Sequence, residues 1–158
     1  MKSLVAALLL LAVPVSLFSA GPASYKVVYR GGSLPNIKSG DTLLLFIDAP
    51  SIKLMKDKTQ VADIPPSAIT EVSYGRDVHR RIGTAIGLAL ITPFGIGGLA
   101  ALTKSKKHYV GLVWTQGNQK GGLAMQCDKN DYRGVLAALE GVSGKKAISP
   151  DALNVKKP

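Results

Sequence analysis

Read for apolar and polar positions, the chain falls into short strands parted by turn residues, then a long uncharged stretch, then two more strands and an amphipathic helix. Tyr25–Arg30 is a first strand, with Tyr25, Val27 and Tyr29 on one face. A Gly/Pro loop through Gly31, Gly32, Pro35 and Asn36 follows it. Thr42–Ile47 is a second strand, apolar enough to be covered on both faces. Ser51–Met55 is a third, Gln60–Ile64 a fourth halted by Pro65-Pro66, and Ala68–Tyr74 a fifth ended by Gly75. The alternation resumes at His108–Trp114, turns at Gly117-Asn118 and returns as Gly122–Cys127. The period then changes. Tyr132, Val135, Leu136, Leu139 and Val142 share one face of a helix, with Asp128 or Asn130 to cap its start and Gly141 or Gly144 to end it.

These elements predict a mainly β (α+β) domain, an antiparallel sandwich or barrel of about seven short strands closed by a C-terminal amphipathic helix. Its core is expected to set Leu112, Trp114, Leu123, Met125, Leu136 and Leu139 against Val27, Leu43, Leu45 and Val72. Residues 145–158, with lysines at 145, 146, 156 and 157, are expected to be a basic, poorly ordered tail.

Two stretches hold no charge, Leu4–Phe18 and Ile82–Thr103. The first follows Met1-Lys2 and leads into the small residues Ser19, Ala20, Gly21 and Ala23, the arrangement of a secretory signal peptide over residues 1–23. Its fifteen residues are short for a membrane span. Cleavage after Ala20 sets Phe18 at the −3 position; cleavage after Ala23 sets Gly21 there. A buried N-terminal helix and an uncleaved anchor are the other readings of the stretch.

The second stretch interrupts the strands, with the insertion as a whole covering residues 80–107. It is rich in Gly and Ala, contains the close-approach pair Gly83 and Gly87, and has Thr92-Pro93-Phe94-Gly95 at its middle. Three arrangements suit it. A single span would part strands one to five from strands six and seven. A helical hairpin over Arg81–Thr92 and Gly95–Lys104, bent at Pro93, has arms of about 15 Å and returns to the side it left. A glycine-rich hairpin packed on the sheet of a soluble protein is the third. In the hairpin reading Ile82, Ile86, Leu88, Leu90, Ile91, Pro93, Phe94, Ile96, Leu99 and Leu102 contact the membrane, and Arg80, Arg81, Lys104, Lys106 and Lys107 form a basic flank.

Charge adds to this picture. Lys and Arg number 20 against 10 Asp and Glu, a formal net charge of +10. Near an anionic surface each basic residue is worth about 1 kcal/mol. Export argues against nucleic acid, and no basic run is interleaved with aromatic residues. The single cysteine, Cys127, leaves no internal disulfide to form and reads as a small buried hydrophobe.

Catalysis is not indicated. No Gly-x-Ser-x-Gly, phosphate loop or paired-carboxylate pattern occurs. His79 and His108 flank the insertion without the Cys or Glu partners a zinc site needs, and are expected at the surface of strand ends. No catalytic, cofactor or metal residue is assigned.

The order of parts resembles the pleckstrin-homology-like fold in its bacterial PH and GRAM-type versions. Ile64-Pro65 followed by Ile69 and Val72 is similar to the I-P-x-x-x-I-x-x-V strand of those domains, and Tyr132–Glu140 to their closing helix. The resemblance implies one such domain over residues 24–144. The uncharged insertion departs from the pattern. So does the sparse charge between Arg30 and Lys38, so phosphoinositide recognition does not carry over. The expectation for function is an exported, non-enzymatic module of a bacterial cell envelope, associated with membrane lipid or a membrane protein through the apolar hairpin. A single-pass membrane protein and a soluble secreted adaptor are the alternatives.

Overall fold

The computed structural model describes residues 23–75, 78–86 and 107–149. Within them the chain forms β1 (Ala23–Gly32), β2 (Thr42–Ile47), β3 (Ile52–Lys56), β4 (Thr59–Ile64) and β5 (Ile69–Tyr74). Helix α1 (Val78–Ala85), the hairpin β6 (His108–Gln116) and β7 (Gln119–Cys127), and helix α2 (Tyr132–Ser143) follow. All the expected strands are present. They make one open, antiparallel, seven-stranded sheet in the order β4-β3-β2-β1-β7-β6-β5. β1 is the central strand, since it pairs with β2 on one side and β7 on the other.

Turn chemistry fixes the ladder. Gly117 takes φ 60° at the β6–β7 turn, a conformation that costs a side-chain-bearing residue. Gly144 ends α2 with φ 68° and donates its N–H to the Glu140 carbonyl at 2.9 Å. Between Pro65 and Ile69 a single 3-10 turn over Pro66–Ala68 carries the chain from β4 to β5.

The inner face of the sheet surrounds α2. Val27, Leu43, Leu45, Val72, Leu112, Leu123, Met125 and Leu139 are all buried in one cluster, as expected. Trp114 and Leu136 are only partly buried at its margin. Removing one such aliphatic side chain from water is worth about 1.5–3 kcal/mol, so this cluster supplies most of the stability.

Two expectations are corrected here. β2 is not covered on both faces: Leu43, Leu45 and Ile47 point inward while Leu44 is 41% exposed. Its apolar run is set by one buried face with incidental apolar residues opposite. The chain beyond α2 is also not loose from residue 145. Ile148 forms a parallel bridge with Ser73 at the outer edge of β5, accepting from the Tyr74 N–H at 2.9 Å and donating to the Val72 carbonyl at 2.9 Å. The Ala147 N–H donates to the Glu140 carboxylate at 2.6 Å. These bonds cap part of an edge strand whose backbone groups would otherwise face water.

Candidate functional site

The uncharged segment enters through α1. This helix begins at Val78, four residues before the charge-free run, so the first turns of the run dock on the sheet. Val78, Ile82 and Ile86 follow one another at four-residue intervals and face the sheet as one stripe. Small residues of the sheet lie directly under them. Gly111 of β6 lies opposite Ala124 of β7, and Val113 lies opposite Gly122. A methyl group at Gly111 would stand 2.5 Å from Ser73 Oγ and Val78 Cγ1. One at Gly122 would stand 3.0 Å from the Cγ2 atoms of Ile82 and Ile86. The helix therefore rests on glycine, closer than any larger residue allows. Val78, Ile82, Tyr109, Val113 and Ala124 form a second buried cluster, separate from the core around α2.

Polar contacts orient the helix. Arg81 Nε donates to Glu71 Oε1 of β5 at 3.0 Å, with each side chain 25% exposed. A pair this exposed contributes under about 1 kcal/mol. Beneath the helix, Ser73 Oγ is buried and has no hydrogen-bond partner among the described residues. Burial also pushes the Tyr109 phenol above its usual range, against a smaller opposing effect of Arg30.

The expected site residues are placed as follows. Ile82 is corrected: it is 3% exposed and packs on the sheet, not toward a membrane. Ile86 is half-buried over Gly122. Arg81 is tied to Glu71, and Lys107 is exposed. The Arg80 side chain and residues Leu88, Leu90, Ile91, Pro93, Phe94, Ile96, Leu99, Leu102, Lys104 and Lys106 lie outside the described residues, as does the bend expected at Pro93. The expected signal peptide also lies outside them, apart from Ala23, which opens β1.

The two attachment points of residues 87–106 belong to one sheet. Ile86 sits over Gly122, and His108 pairs with Cys127 five residues along the same strand, a separation of about 17 Å along β7. β5 and β6, the strands before and after the segment, are directly paired. Both halves of the sheet therefore lie on the same side of any membrane the segment enters. A span that parts strands one to five from six and seven does not fit this pairing.

Where the chain returns, a group of aromatic rings awaits it. The Tyr74 hydroxyl and His108 Nδ1 share a hydrogen bond of 2.8 Å. The Tyr132 ring stacks on His108 with centroids 3.8 Å apart and planes 1° from parallel. Arg133 lies 5.6 Å from the Tyr132 centroid and donates Nε–H to its hydroxyl at 3.0 Å. His108 is thus not a loose surface residue at a strand end. It joins β5, β6 and the start of α2 at the point where the segment ends. The sequence carries a signal for this, since Tyr74 and His108 end and begin the two strands that flank the insertion.

Cys127 is buried, and burial, with the nearby Asp131 charge, pushes its thiol up to about 12. Such a thiol is unreactive at neutral pH. Among the described residues no group of three or more His, Cys, Asp or Glu is placed to hold a metal ion. Among them, too, no helix is long and apolar enough to cross a membrane. No protein-family model matches the chain, and no curated protein matches it.

Proposed function

We propose that this protein is a non-enzymatic module of the cell envelope, exported by its N-terminal segment and held to a membrane, or to a membrane protein, by the apolar residues 87–103 that follow α1. One observation carries the reading. The sheet fixes both ends of residues 87–106 at the same domain, one through α1 on its glycine bed and the other through β6. A charge-free segment with Pro93-Phe94-Gly95 in its sequence, anchored in this way, would enter a bilayer and leave by the same side. With residues 82–86 docked on the sheet, residues 87–92 and 95–103 remain to enter it, and at a helical rise they would reach about 9 and about 14 Å, less than a full span. Arg80, Lys104, Lys106 and Lys107 flank the segment in sequence, and basic residues beside an apolar segment favour anionic lipid headgroups.

The pleckstrin-homology-like assignment belongs to the same proposal. It is supported by the strand order, by the burial of Ile64, Ile69 and Val72 around the Pro65-Pro66 turn, and by α2 filling the inner face. Cell fractionation tests the functional reading against a soluble adaptor. The protein is expected in the membrane fraction and to stay there in high salt. Recovery wholly in the soluble fraction overturns the proposal, and release by salt alone assigns the binding to the basic flank rather than to the apolar segment.

A further inference from the structure

A groove of about 410 Å³ opens on the side of the domain away from the aromatic stack, between the β1–β2 loop, β4 and the tip of the β6–β7 hairpin. It is within the size range of small-molecule sites. Its aromatic element is Trp114, which pairs across the hairpin with Gly121. A side chain at Gly121 would collide with the Cε2, Cζ2 and Nε1 atoms of the indole, so the ring lies over Gly121 where only glycine leaves room for it. On the same face of the hairpin stand Gln116 and Gln119, opposite each other in register. Lys120, opposite Thr115, and Asp63, opposite Lys53, line the rim with their side chains on the other face of the sheet. Ser33 is already committed: its Oγ accepts from the Gly122 N–H at 3.0 Å.

We propose that this groove binds a neutral saccharide ring. The C–H face of a sugar packs on the negative face of an indole, and its hydroxyls need donors and acceptors together, which the carboxamides of Gln116 and Gln119 provide. The one cation in the lining, Lys120, lies on the other face of the strand from Trp114, so the groove does not select an anion such as a phosphate. Nor does β4 suit an added peptide strand. Its register shifts against β3 between Leu54 and Met55, leaving Val61 as an extra residue, and Pro65 ends it. A bulged edge interrupts the ladder an incoming strand needs. The inference is independent of membrane association.

Trp114 is the single tryptophan of the chain, so intrinsic fluorescence reports this groove alone. The full chain, in a detergent without a sugar headgroup, is titrated with cellotetraose and with chitotetraose. A saturable shift of the emission at millimolar concentration of either is expected. Gln119→Ala, at an exposed position, is expected to weaken it by about tenfold. Gly121→Ala, which displaces the indole, is expected to abolish it, and thermal unfolding checks that both variants fold. The proposal is overturned by the absence of a saturable response to both sugars, by unchanged affinity in folded Gln119→Ala, or by saturation with inorganic phosphate or a Val-Thr tetrapeptide in place of the sugars.

Discussion

The two faces of the sheet are packed by opposite means. On the inner face, large side chains from every strand join one buried cluster with α2, with Leu45, Leu112, Leu123 and Leu139 at 0% exposure. On the outer face, α1 sits on small residues, with Gly111, Gly122 and Ala124 under Val78, Ile82 and Ile86, and Tyr109 and Val113 of β6 complete the cluster. The inner face holds the domain together. The outer face accepts one short helix at close range and holds the origin of the apolar segment. Volume on one side of an interface must be matched by its absence on the other, since interiors pack as densely as organic crystals.

Substitution can break this contrast from either side. Leu112→Ala or Leu139→Ala removes bulk from the inner face and is expected to cost about 2–5 kcal/mol in urea unfolding. A cost below about 1 kcal/mol would mean that the inner cluster is not the main core. Gly111→Val adds bulk to the outer face. It is expected to cost about 1–3 kcal/mol and to displace α1 while α2 stays in place. Hydrogen exchange reads this directly: amides of residues 78–86 should lose protection and those of 132–143 should keep it. Equal loss in both helices would show that the two faces are not separable.

Alkaline pH acts on both faces together. Burial raises Cys127 and Tyr29 on the inner face and Tyr109 on the outer. For Cys127 the shift runs from 9.0, the value of a free thiol, to about 12. Above pH 9 the unfolded chain releases protons that the folded chain keeps, so stability is intact below that pH and falls as pH rises toward 12. Cys127→Ala is expected to shallow this slope, measured as unfolding free energy between about pH 8 and 11. An unchanged slope would assign it to the tyrosines alone. The smallest effect is expected at Ser73, whose buried hydroxyl has no partner beneath α1 among the described residues. Ser73→Ala should leave stability unchanged or raise it by up to about 1 kcal/mol. A clear loss would reveal a bond to that hydroxyl.

The inner face is legible in the sequence because alternation of large apolar residues has one simple meaning. Val27, Leu43, Leu45 and Val72 are buried where their pattern places them, and the Gly117-Asn118 turn stands between β6 and β7. The outer face is not legible. Glycine in a strand ordinarily reads as a turn or a bulge, so Gly111 and Gly122 give no sign that a helix lies on them. Hydropathy assigns Ile82 to lipid because it reports transfer out of water and not the surface that receives the side chain. The bridge from Ile148 to β5 is hidden too, since a lysine-rich stretch resembles a tail whether or not its backbone finds an edge. The groove under Trp114 depends on contacts between residues of several strands and a loop, which no single run of sequence displays.

The central claim is that residues 87–106 hold the domain to a membrane while the sheet folds without them. Liposome flotation tests it on protein lacking residues 1–20, with and without replacement of 87–106 by a Gly/Ser linker. A linker of about eight residues spans about 16 Å, which suits the two attachment points. The intact protein is expected to float with phosphatidylcholine–phosphatidylglycerol vesicles and to remain with them in high salt. The replaced form is expected to unfold cooperatively, to keep its β-rich circular dichroism and to stay at the bottom of the gradient. Flotation of both forms alike, or of neither, would contradict the account.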